Sequence, residues 1–151
     1  MDFSYQSNIK AENLIEIFEE FQLLLKISPP QVKYDILDKS NGFIQQTLFV
    51  KSIKKELIFE SIYEKKSENS FLIKAISGPL KGTETIIRIL EKDDKSEINV
   101  ELNLKLGLKY KIFSSILSKK IKSINLTLFN RLEKFAELLY NDKYKINFEN
   151  N

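Results

Sequence analysis

Between Ser96 and Leu139 the hydrophobic period of this chain changes once, at Gly107. Ile98, Val100, Leu102, Leu104 and Leu106 alternate with Glu97, Asn99, Glu101, Asn103 and Lys105. That is the period of two that sets one face of a strand on a core and the other in water. Beyond Gly107 the apolar residues Phe113, Ile116, Leu117, Ile121, Ile124, Phe129, Leu132, Phe135 and Leu139 recur every three or four positions, and neither Gly nor Pro follows. The spacing predicts a single helix from about Leu108 to Tyr140, roughly 50 Å long at 1.5 Å per residue. Such a helix is longer than a small domain is wide, so its first turns are expected to bend or project. Ser123, Ile124 and Asn125 are its weakest helix formers and mark a place for curvature.

Upstream, Phe3, Tyr5, Ser7 and Ile9 alternate as a first strand. In "KAENLIEIFEEFQLLLKI" the apolar Leu14, Ile15, Phe18, Phe21, Leu24 and Leu25 fall at helical spacing, and Ser28-Pro29-Pro30 stops the helix. Six short runs then follow, divided by "KSNG", "SIKK", "KKSEN", "GPLKG" and "KDDK". With the first strand they make a seven-stranded antiparallel sheet in meander order. Loop lengths carry the inward parity from one strand to the next. From Ile98 they place Thr85, Ile87 and Ile89 inward, then Phe71, Ile73 and Ala75, then Leu57, Phe59, Ser61 and Tyr63, then Ile44, Gln46, Leu48 and Val50. At the Asn41-Gly42 hairpin an inward Val32, Tyr34 and Ile36 conflicts with this parity unless a bulge intervenes, and the register there stays open.

The 151 residues fit one domain over 1–140 with a polar, fraying tail over 141–151. With 24 basic and 21 acidic residues interspersed, no strong field points to nucleic acid. The chain has no Cys and no His, which removes disulfides, thiolate and imidazole ligands and the commonest general base. No metal or other cofactor is expected. The first ten residues lack a basic stretch leading into an apolar one, and no apolar run approaches the ~18 residues of a spanning helix. A soluble cytoplasmic protein is expected.

Strand, helical segment, six-strand meander and long last helix, together with Ser28-Pro29-Pro30, "SGPLKGTETIIRI" and "FSSILSKKIKSINLTLFNRLEKFAELL", resemble the START-like (Bet v 1-like, polyketide cyclase-like, SRPBCC) helix-grip superfamily. The resemblance implies an α+β fold in which a curved sheet wraps the C-terminal helix around a cavity for lipids, sterols, polyketides or other apolar molecules. An archaeal subgroup similar to fatty-acid carriers is the closer match it suggests.

The expected function is therefore non-catalytic binding or carriage of a hydrophobic small molecule, most simply a fatty acid. An interaction or regulatory module with a filled core, and a cyclase- or hydrolase-type enzyme, remain as alternatives. The candidate lining is Gln46, Phe59, Ser61, Tyr63, Phe71, Ile73, Thr85, Ile87, Val100, Leu102, Ile124, Leu128 and Phe135. Polar residues on that inward face, Ser77 among them, cost roughly 1 to 3 kcal/mol each if unpaired, which argues against a completely filled core. Of the two Arg residues, Arg88 faces outward toward Glu97 and Glu101, whereas Arg131 lies at the flank of the helix stripe. Arg131 is the first candidate to hold a carboxylate head group, with Lys120, Tyr63 and Gln46 behind it. Tyr63, near Ser61, is the best candidate acid. "KYKIFSSILSKKIK" mixes Lys with apolar residues and allows a transient contact with an anionic membrane.

Overall fold

The computed structural model describes the backbone of residues 1–149 and side chains through Tyr140. The expected fraying tail, 141–151, lies outside the residues described in that detail. The elements are β1 (Asp2–Ser7), α1 (Ala11–Glu19), α2 (Phe21–Lys26), β2 (Val32–Asp38), β3 (Phe43–Val50), β4 (Lys55–Ser67), β5 (Ser70–Ala75), β6 (Glu84–Lys92), β7 (Lys95–Asn103) and α3 (Ser114–Glu149). Two short 3₁₀ helices, Lys51–Ile53 and Leu108–Phe113, fill the β3–β4 connection and the approach to α3. The long helix thus begins later than its periodicity predicts, and its first expected turns are wound more tightly.

All seven strands join one curved antiparallel sheet in the order β1-β7-β6-β5-β4-β3-β2. The two end strands do not pair, so the sheet stays open and wraps α3 from both sides. The alternation argument holds across the sheet. Ile89 pairs with Ile98, Phe71 with Ile87, Tyr63 with Ile73 and Gln46 with Phe59. The inward sets are buried except for the half-buried Tyr63 and Ile73, while Lys74, Arg88 and Glu56 stay exposed. On the outer face Arg88 reaches Glu101 at 3.4 Å, an exposed pair of small energetic weight.

The open register at Asn41-Gly42 is settled by a bulge between Ile36 and Asp38, which lets Val32 and Tyr34 face Leu48 and Gln46 on the inner side. Gly42 is required there. Its φ is +63°, and a Cβ would overlap the carbonyl oxygen of Tyr63, which sits in the next strand over.

One expected helix is in fact two. The chain leaves helical geometry at Glu20, with φ −100° and ψ 74°, so α1 and α2 meet at an angle. The break releases the Phe18 carbonyl from the helical ladder, and the Tyr63 hydroxyl donates to it.

The interior has two parts. One packs α1, β1 and the β5–β7 side around Phe18, Phe71, Phe129 and Leu132; the other packs the β2–β4 side around Leu48, Leu57, Phe59, Leu80 and Leu117. Helix α3 spans both, and they do not fully meet.

Candidate functional site

At the seam between the two halves lies a cavity with about 90 Å³ of free space. Four walls enclose it: Phe18 at the end of α1; Phe21, Leu24 and Leu25 on α2; the inner faces of β2–β6; and Ile121, Ile124, Asn125 and Leu128 on α3. None of the residues lining it is charged. The half-buried lining residues Phe21 and Leu25 of α2 and Ile121, Asn125 and Leu128 of α3 mark where it approaches the surface, between the two helices.

The polar groups on the walls are few and mostly engaged. Ser61 Oγ donates to Gln46 Oε1 at 2.6 Å, and the Gln46 amide also meets the Tyr34 hydroxyl, so three neighbouring strands share one buried polar chain. Burial pushes the Tyr34 phenol up to about 12, and the Gln46 hydrogen bond only partly offsets it. Thr83 Oγ1 donates to the Lys105 carbonyl at 2.8 Å and accepts from the Lys105 amide at 2.9 Å, which leaves it nothing to offer a ligand. Thr85 is buried on the cavity wall, and its hydroxyl has no protein partner among the described residues. Asn125 donates to the Ile121 carbonyl at 2.9 Å, keeping its own carbonyl oxygen as an acceptor at the α3 wall.

Of the residues expected from sequence, Gln46, Phe59, Ser61, Tyr63, Ile73, Thr85, Ile87, Ile124 and Leu128 come together on this cavity. The others stand elsewhere. Phe71 is fully buried behind the Phe18 and Tyr63 rings, at centroid distances of 5.5 and 5.9 Å. Val100 and Leu102 are buried on β7, one strand beyond the Ile87 and Thr85 with which they pair, and line no part of the cavity. Phe135 is half-buried and lines no part of it. Ser77 turns its hydroxyl to Glu60, accepting from the Glu60 amide at 3.0 Å.

The expected head-group cations are also absent from the cavity wall. Arg131 precedes the fully buried Leu132 on α3; the ~100° step between successive helical residues turns it to solvent, and it is exposed. Lys120 borders a separate surface depression with Lys51, Lys54 and Lys55. Helix position alone placed Arg131 at the stripe's flank, but the azimuth of α3 against the sheet was not in the sequence.

Sequence reasoning missed the contribution of α2 and of Tyr34. The Phe21, Leu24 and Leu25 pattern was visible as a helix face, but only the break at Glu20 turns that face over the cavity. Tyr63 is no free acid. Burial, reinforced by the charge of Glu19, pushes its phenol far above the ordinary value, and its proton is committed to the Phe18 carbonyl. Replacing Tyr63 with Phe should therefore cost about 1 kcal/mol by orphaning that carbonyl, a fall in Tm of about 2 to 4 °C for a domain this size. An unchanged Tm would mean the α1–α2 break is held without this bond.

A seven-stranded open antiparallel sheet gripping a long C-terminal helix is the helix-grip fold of START-like and Bet v 1-like proteins. The solved structures similar to this chain carry the same fold. A START superfamily protein from Mycobacterium smegmatis superposes with a TM-score of 0.65 at 15% identity, over 92% of this chain and 97% of that one. A protein from Thermus thermophilus gives 0.68 at 10% identity, over 92% and 97%. The Zhui aromatase/cyclase from a Streptomyces species gives 0.63 at 10% identity, over 89% and 94%. No family model matches the sequence, and no curated protein does either. Among the described residues no group of His, Cys, Asp and Glu is arranged to hold a metal ion, and no helix is long and apolar enough to cross a membrane.

Proposed function

We propose that the chain binds a hydrophobic small molecule at the seam between sheet and α3 and holds it without chemical conversion. The cavity carries this reading: an apolar lining with a few neutral polar groups is what orients an apolar ligand by one end. Catalysis is disfavoured because no charged group faces the cavity and the Tyr63 proton is already bonded.

The finer proposal is a fatty acid or similar lipid whose head is uncharged where it enters. An unpaired carboxylate is too costly to bury beside Gln46, Ser61 and Thr85 alone. Free space of about 90 Å³ is also well below the roughly 300 Å³ of a filled ligand site, so binding requires Phe21 and Leu25 to move outward with α2. The same small volume favours the second reading, an interaction module with a nearly filled core.

Calorimetric titration with a fatty alcohol and its matching acid separates these readings. The alcohol is expected to bind at least as well as the acid at neutral pH, with acid affinity rising as the pH falls toward the acid's own pKa. Arg131→Met should leave both unchanged. Binding of neither ligand, with no lipid found by mass spectrometry of the purified protein, would leave the interaction module. A preference for the ionised acid that Arg131→Met removes would restore Arg131 as the head-group partner.

A further inference from the structure

The overall balance of charge hides a segregation. From Leu102 to Leu132 there are seven basic residues (Lys105, Lys109, Lys111, Lys119, Lys120, Lys122 and Arg131) and no Asp or Glu, leaving 17 basic against 21 acidic residues in the rest of the chain. This acid-free stretch includes the 3₁₀ helix Leu108–Phe113, which carries the most exposed large apolar side chains among the described residues, Leu108 at 84% and Ile112 at 83%.

The local geometry explains why they are out. A 3₁₀ helix has three residues per turn, so Tyr110 and Phe113 form one row, and that row packs on the buried cluster of the β2–β4 side. The two remaining rows face water, Leu108 with Lys111 and Lys109 with Ile112, so each pairs one bulky apolar residue with one Lys. Lys109 Nζ lies 5.7 Å from the Tyr110 ring centroid. The Lys51–Ile53 turn rests on the same cluster through Ile53, and its Lys51, with neighbouring Lys54 and Lys55, borders one depression together with Lys120 of α3 and a single acidic residue, Glu56. One end of the molecule thus presents two protruding apolar side chains within a field of lysines.

We infer that this end docks on an anionic lipid bilayer, with Leu108 and Ile112 entering the interface and the surrounding lysines meeting lipid phosphates. Charge complementarity and exposure select this occupant. Leu108 and Ile112 are almost fully exposed rather than sunk among neighbouring side chains, and lysine stems are long enough to keep their ammonium groups at head-group level when such residues enter the interface. An acidic protein partner would more naturally be met by a concave or flat face. The inference is independent of whether the cavity holds a ligand.

Sedimentation of the full chain with phosphatidylcholine vesicles, with and without phosphatidylserine, tests it. The protein is expected to bind only the phosphatidylserine vesicles and to release as salt is raised. The double change Leu108→Ser and Ile112→Ser should weaken binding about tenfold or more, and Lys109→Glu with Lys111→Glu at least as much. Both sites are exposed, so neither variant should alter the circular dichroism spectrum. Lys74→Glu, a charge reversal on the outer face of β5, should change binding little. Failure to bind phosphatidylserine vesicles overturns the inference and leaves a protein partner for this end. Binding that is indifferent to the Leu108 and Ile112 changes, or as sensitive to Lys74→Glu, also overturns it by reducing the effect to general charge.

Discussion

Ala75→Leu is expected to weaken ligand binding about a hundredfold while the protein remains folded. Ala75 ends β5, is 4% exposed, lies across from Ser61 on β4 and forms part of the cavity wall. A leucine there projects three further carbons into a space that holds only about 90 Å³. A ligand chain that loses room for three or four methylenes forfeits ~0.8 kcal/mol for each, which amounts to roughly a hundredfold in affinity. Stability should move little, because filling a void recovers contacts while imperfect fit costs about as much. Titration of a fatty alcohol into the two proteins, alongside thermal unfolding, checks both halves. Undiminished affinity in the folded variant would place the ligand outside the seam and remove the main support for the proposed function.

The second large effect concerns Glu133, which no reading of the sequence singled out. From the middle of α3 its carboxylate accepts three hydrogen bonds from β1 and the residue after it: Tyr5 Oη at 2.7 Å, Ser7 Oγ at 3.1 Å and the Asn8 amide at 2.6 Å. This clamp ties the grip helix to the free edge of the sheet. Partial burial pushes the Glu133 carboxyl up, but the bonds from Tyr5, Asn8 and Ser7 together outweigh it and hold the group below the ordinary carboxylate range. Glu133→Ala leaves those donors unmatched and should cost about 2 kcal/mol in chemical denaturation, the scale of hydrogen bonds to a charged group after some loss to solvent screening.

The pH dependence has a definite sign. Because the folded-state value is depressed, the stability contributed by Glu133 is fully present above the unfolded carboxylate's pKa of about 4.3 and is lost as pH falls through the folded-state value. The stability difference between wild type and Glu133→Gln should therefore be constant near neutrality and shrink progressively below about pH 4.3. A difference that persists unchanged into acid would show that the side chain matters for packing rather than for its charge.

How much of this was written in the chain can be judged residue by residue. Strand parity is a local property: with side chains alternating and loop lengths countable, the pairing of Ile98 with Ile89 and the inward side of Tyr63 and Ile73 follow from counting, whereas the register that sets Tyr63 across from Ile73 also depends on the irregularity between Lys65 and Ser67. The same counting exposed the conflict at Asn41-Gly42, and the bulge at Ile36 and Asp38 is its physical resolution. The charge asymmetry around Leu108 was equally legible, but only a window by window count brings it out of a nearly balanced total.

The elements, their antiparallel meander order and the inner face of every strand but β2 were thus determined by the sequence, because periods of two and of three to four are set by backbone geometry within a few residues; the helix-grip arrangement was what that order resembles. Tertiary structure decided the rest. Whether Arg131 or Leu128 looks into the cavity depends on the rotation of α3 about its own axis, which is set by packing Phe129 and Leu132 against α1 and the sheet more than a hundred residues away in some contacts. The break at Glu20, the Tyr63 bond that occupies the freed carbonyl, and the Glu133 clamp on β1 all join parts of the chain that no local pattern relates. The cavity itself is what remains where two separately packed cores fail to meet, and such a remainder is a property of the assembled volume and of no single segment.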